Sequence, residues 1–210
     1  MNDVSSAAMS DNIERRIAKS AAWMVMSRFA VRGIGLVSTV ILARLLRPED
    51  FGLVALAAAL VGSLDALSQC GFDMALFQTN AASRAHYDTV WTLTVGRNAA
   101  IALLLAAFAG PAAIFFGDAR LVEIMYFFAG GILVEGLFNV GIIDFRKELN
   151  FQREFAFQTA VKLVAFVVTV TCAFLWRNYW ALIIGGLSGK ATGLVLSYLM
   201  HPYRPRFSLR

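Results

Sequence analysis

Six apolar stretches of this 210-residue chain each carry an ionisable side chain well inside their ends. Arg28 and Arg32 stand four residues apart, so a helix stacks them on one face, and Asp65 and Asp73 share a face with Gly62 and Gln69. Arg97 lies beside Asn98, Glu135 falls midway between Gly131 and Asn139 at steps of four, and Lys162 is flanked by Gln158 and Thr169. Lys190 completes the set. A charge at the centre of a membrane helix costs about 2.5–3.5 kcal/mol even on the lenient insertion scale. One such residue would pass without comment. One in every stretch calls for a shared, hydrated environment. Five bases (Arg28, Arg32, Arg97, Lys162, Lys190) face three acids (Asp65, Asp73, Glu135), so a chamber built from them is cationic and suits an anionic cargo. In that reading the bases draw the cargo in, while Asp65 and Glu135 pair with them or carry a coupling proton. The competing reading is structural, with interhelix pairs such as Arg32–Asp65 or Arg97–Glu135 holding the bundle in register. Three acids cannot neutralise five bases, which favours the chamber.

Composition dictates the elements that must position these groups. Apolar residues make up 59% of the chain and charged residues 16%, with a mean hydropathy of +0.65. Soluble domains run to roughly 45–50% and about 25%. A water-soluble globule, a disordered chain and a disulfide-stapled module are thereby excluded. A span needs about 20 mostly apolar residues, and the stretches 20–46, 51–78, 88–109, 121–145, 156–176 and 179–200 qualify. The expected fold is an all-α membrane protein, a six-transmembrane-helix bundle. Residues 1–19 read as a cytoplasmic N-terminal segment, 20–201 as the transmembrane lobe and 202–210 as a cytoplasmic tail. The first stretch exceeds the roughly 7–15 residues of a cleavable signal core, so it reads as a retained span. Pro48, with Glu49 and Asp50, marks the start of the second helix. Gly110-Pro111 stops or kinks the third, and His201-Pro202 with Pro205 ends the sixth.

Ten basic residues flank one side of these spans and four flank the other. The positive-inside rule therefore puts the richer side, with both termini, in the cytoplasm. In that setting the net charge of +5 reflects topology and anionic headgroups, and no nucleic-acid partner is implied. Cys70 and Cys172 lie in apolar stretches without CxxC spacing, and His86 and His201 stand alone in the sequence. No metal site or cofactor is expected. Nor is there a P-loop, HExxH or GxSxG motif, so the chain reads as a non-enzyme. In the sixth span Ala181, Gly185, Gly189, Gly193 and Ser197 recur every four residues, a seam for a closely packed helix. That seam serves either packing within the bundle or a lobe–lobe or dimer contact. Trp91, Trp176, Tyr179, Trp180, Tyr198 and Tyr203 lie near span ends, as interfacial anchors do.

Three segments carry a family likeness: ILARLLRPEDFGLV at 41–54, GFDMALFQ at 71–78, and the stretch opening with YWAL at 179–182 and closing with YLMHPYRPRF at 198–207. They resemble the polysaccharide (O-antigen/exopolysaccharide) flippase family, in particular the lipopolysaccharide exporters of the MATE-like superfamily. The resemblance implies one lobe of a MATE-like transporter, built as a six-helix bundle. It also implies translocation of lipid-linked oligosaccharide or exopolysaccharide repeat units across the bacterial inner membrane by alternating access. An anionic lipid-linked oligosaccharide would be the cargo, with membrane lipids around it. Such proteins have about twice as many spans, so this chain corresponds to the N-terminal half. It would act as a half or truncated transporter, completed by a second lobe or a homodimer. The alternatives are a cation-coupled small-molecule exporter of the same superfamily and a membrane assembly partner that transports nothing.

Overall fold

The computed structural model describes Met26, Phe29 and residues 31–68, 84–147 and 151–208. Six long helices occupy them and no strand is present among the described residues. Helix α1 covers residues 31–45, with Met26 and Phe29 also helical. Then follow α2 (Pro48–Leu67), α3 (Arg84–Phe116), α4 (Arg120–Gly136), α5 (Phe151–Trp176) and α6 (Trp180–Met200). Pro48 opens α2 with Glu49 and Asp50 in its first turn, where a missing N–H costs nothing and negative charge meets the positive helix end. The N-terminal segment 1–19 lies outside the described residues.

Several boundaries differ from the hydropathy reading: α2 begins at Pro48 and ends at Leu67, short of 78, α3 begins at Arg84, and α5 begins at Phe151. Two further helix ends differ, each for a local reason. α3 continues through Pro111 to Phe116, and the stop comes instead at Gly117. That glycine takes a φ of 73°, and the next amide, Asp118 N, reaches back to Ala113 O at 3.1 Å. This is the bonding pattern of a left-handed helix cap, open to glycine without a Cβ penalty. α4 ends at Gly136, well short of residue 145, because Asn139 forms its own turn: its Oδ1 accepts from Gly141 N at 2.9 Å. A 3-10 turn (Val140–Ile143) and a single helical turn (Asp144–Lys147) complete an elbow before α5. Asn139 is therefore no part of a helical stripe with Gly131 and Glu135.

The helices pack as two close pairs, α3 with α4 and α5 with α6, and α4 also meets α6 and α2. Leu105, Leu121, Ile124 and Met125 are fully buried at the α3–α4 seam. Large apolar side chains elsewhere point outward, among them Leu103, Ile114, Phe115, Leu163, Phe174 and Leu199. In water such a surface would drive aggregation; in a bilayer it meets lipid. Three helical stretches, His86–Phe116, Gln152–Trp176 and Trp180–Met200, are long and apolar enough to cross a membrane. α4, at 17 residues, measures roughly 26 Å at about 1.5 Å per residue, short of a ~30 Å hydrocarbon core. The chain is an all-α membrane protein. Its connections segregate into two ends. At one, Arg120 stands 3.8 Å from Asp50 and lies over the Tyr179 ring; at the other, Arg84 bonds to Arg204 O at 3.4 Å.

Candidate functional site

Arg97 on α3 reaches across to the last turn of α2. Its Nη2 binds the Asp65 carboxylate and also donates to the Asp65 carbonyl at 3.4 Å, while Nε donates to Ser68 Oγ at 3.2 Å. The guanidinium thus meets both a carboxylate and the negative end of a helix, and both favour a cation. A second pair joins α4 to α6: Lys190 Nζ stands 2.9 Å from Glu135. The lysine stem lies across Gly131, where an added Cβ would come within 3.2 Å of Lys190 Cδ. Bare backbone one turn before Glu135 is what lets the stem reach its carboxylate. Both pairs are lopsided. Asp65 and Glu135 are 50% and 54% exposed, against 24% and 31% for Arg97 and Lys190. The acids face open space and the bases tuck behind them, so neither is a dry couple.

Asn98 lies between the two pairs. It is buried, donates Nδ2 to Ile132 O at 3.4 Å, and sits where a Cβ on Gly136 would approach its own Cβ to 2.8 Å. Adjacent residues project about 100° apart on a helix, so with Asn98 turned to α4, Arg97 is turned to α2. Arg97 therefore meets Asp65 rather than Glu135, and Asp65 is taken by Arg97 rather than Arg32. The outcome is a polar belt crossing α2, α3, α4 and α6. Of the other candidate bases, Arg32 and Lys162 are exposed, on α1 and α5, and no described acid forms an ion pair with either. Arg28 and Asp73 lie outside the described residues. Chemically, the belt holds two bases behind two carboxylates open to the outside. An anion competes with those carboxylates, and a proton on either acid releases its base.

The small-residue stripe of α6 is occupied from within the chain. A Cβ on Gly185 would overlap the Thr169 hydroxyl of α5, one on Gly189 would come within 3.0 Å of Ala165 Cβ, and one on Gly193 within 2.7 Å of Phe138. These contacts place α5 and the start of the elbow against the face a second lobe or copy would need.

Sequence reasoning missed a second polar cluster, at the α3 start. It contains Asp88, Asn139, Asp144, Ser197, His201 and Tyr203, of which Asp88, Asn139 and Ser197 are buried. His201 is not solitary: its Nε2 stands 3.4 Å from Asp144 and its ring packs on Phe145. Trp91 and Tyr203 are built into the same cluster rather than lying loose at an interface. The available signal was weak, a lone Asp at the edge of an apolar run.

A profile of the family described as polysaccharide biosynthesis protein matches residues 41–210, taking in α2 to α6 and the segment beyond. The chain belongs to the polysaccharide biosynthesis protein family. It is 26% identical over 198 residues to the succinoglycan biosynthesis transport protein ExoT of Rhizobium meliloti (strain 1021), covering 92% of this chain and 39% of that protein. It is 22% identical over 185 residues to the lipopolysaccharide biosynthesis protein WzxC of Escherichia coli (strain K12), covering 88% and 38%. The chain spans about two-fifths of the length of these two curated relatives. No solved structure gives a significant match. Both ion pairs fall inside the matched region, whereas Arg28 and Arg32 precede it.

Proposed function

We propose that this chain forms one lobe of a translocator that moves lipid-linked oligosaccharide or exopolysaccharide repeat units across the bacterial inner membrane by alternating access. The lobe lies with both termini in the cytoplasm, catalyses no reaction and works with a second lobe or a second copy. Arg97 and Lys190 bind the anionic part of the cargo, Arg32, Lys162 and Arg28 supply further positive charge, and Asp65 and Glu135 are the coupling or gating acids. The observation that carries the reading is the polar belt. Two ion pairs join four helices of an apolar bundle, their bases near the middles of α3 and α6 and their half-exposed acids in the last turns of α2 and α4. A base held so far along an apolar helix is worth its cost where water or a charged cargo enters. The likeness to ExoT, a succinoglycan biosynthesis transport protein, and to WzxC, a lipopolysaccharide biosynthesis protein, supports it independently.

The test replaces Lys190 and Arg97 singly by Ala in a full-length or dimeric context and follows surface glycan in a deletion strain. Loss of export with normal membrane insertion is the expected result. Normal export from both variants would overturn the assigned roles. Sensitivity to cationic dyes with unchanged glycan would identify a small-molecule exporter instead, and crosslinking to a polymerase without any transport defect an assembly partner.

A further inference from the structure

The chain leaving α6 turns back over the start of α3, and its docking is made atom by atom. Tyr203 Oη and Arg206 N both donate to Asp88 Oδ1, the latter at 3.0 Å, and Ser208 N donates to Thr92 Oγ1 at 3.0 Å. Asp88 is only 7% exposed. Arg84, one turn earlier, stands 3.9 Å from Asp88 Oδ2. The Phe207 ring lies 4.7 Å from that of the buried Trp91. From the elbow, Asn139 donates Nδ2 to Tyr203 O at 2.7 Å and its backbone N–H to Ser197 Oγ at 3.1 Å.

α3 and α6 bring Arg97 and Lys190 to the belt, yet they meet chiefly through α4, which lies between them. The 201–208 segment is a direct polar tie between the two, and it acts at one end of the bundle. A buried carboxylate stripped of its donors is costly, so Asp88 is either docked or hydrated, and halfway positions are disfavoured. Pro202 and Pro205 restrict the undocked segment, which lowers the entropy lost on docking.

We infer that segment 201–208 is a conformational latch anchored on Asp88: docked, it binds the end of α6 to the start of α3 and closes this end of the bundle; released, it lets the two helices part. The latch concerns how the lobe moves and holds whatever its cargo.

The test uses the full chain in lipid nanodiscs, read by hydrogen exchange of residues 203–208. In the unmodified protein the Arg206 and Ser208 amides are protected. Asp88→Ala raises their exchange about tenfold or more, as loss of a charged acceptor implies, while residues 101–132 stay protected. Free exchange in the unmodified protein, or unchanged protection in the variant, overturns the latch. Should Asp88→Ala fail to insert, Tyr203→Phe removes one donor, keeps the ring, and is expected to raise exchange by a smaller factor. Spin labels on Leu93→Cys and Leu199→Cys, in a background lacking Cys70 and Cys172, read the closure itself. Release lengthens or broadens their separation. An unchanged separation with a freely exchanging segment overturns the closing role.

Discussion

Lys190 of α6 and Glu135 of α4 meet at 2.9 Å across the bare backbone of Gly131. The contact depends on three residues of different kinds: a base, an acid, and a glycine that leaves room for the base's stem. Each can be altered separately.

A bulky residue at 131 should evict the stem. Gly131→Leu is expected to reproduce the glycan-export defect of Lys190→Ala in a full-length or dimeric context, because both leave Glu135 without its base. Gly130→Leu, whose Cβ meets open space, should leave export unchanged. Wild-type surface glycan from Gly131→Leu would mean that Lys190 reaches its partner by another route or is dispensable.

The Arg97–Asp65 contact should show up as a coupling energy. Asp65 is half exposed, so solvent screens the pair, and a double-mutant cycle to Ala should return about 1 kcal/mol rather than the larger value of a dry pair. Reversible unfolding in mixed micelles measures it. Additive single mutants would show that α2 and α3 are not joined here.

Close packing of α5 on α6 predicts intolerance at Gly185. Gly185→Val forces a methyl group into Thr169 and should destabilise the lobe by about 1–3 kcal/mol, the usual range for overpacking. Gly186→Ala, directed into open space, should leave the lobe at least as stable as the parent, with a gain of up to about 1 kcal/mol from replacing a mid-helix glycine. Equal effects at the two positions would refute this packing.

Tyr203 should resist ionisation. Burial first, and then its bond to Asp88, raise its phenol above the usual value of 10.0. The folded state therefore holds this proton more tightly than the unfolded chain does. The associated stability is full below the unfolded value and drains away as pH climbs through the folded one. Difference titration of the parent against Tyr203→Phe, followed by phenolate absorbance, should show no Tyr203 ionisation near pH 10. A normal titration there would mean the phenol is solvated and the segment undocked.

Much of the architecture was legible because it depends on local properties. Hydropathy located the helices, and Gly, Pro and acidic punctuation located their starts. Span boundaries put Arg97 and Lys190 near the middle of their stretches, as they stand in α3 and α6. Two misread helix ends have local causes: Asn139 ends α4 early because its side chain forms a turn of its own, and Gly117, free to take a positive φ, ends α3 in place of Pro111.

Sequence by itself determined that this is a helical membrane protein with charged residues set within its apolar stretches, since both follow from residue type and period along one chain. Tertiary structure alone decided which acid each base meets, what covers the glycine stripe, and that Tyr203 returns to Asp88. Those outcomes depend on how each helix is rotated against its neighbours. That rotation is set by close approaches such as Asn98 on Gly136 and Thr169 on Gly185, between residues whose proximity no single helix encodes.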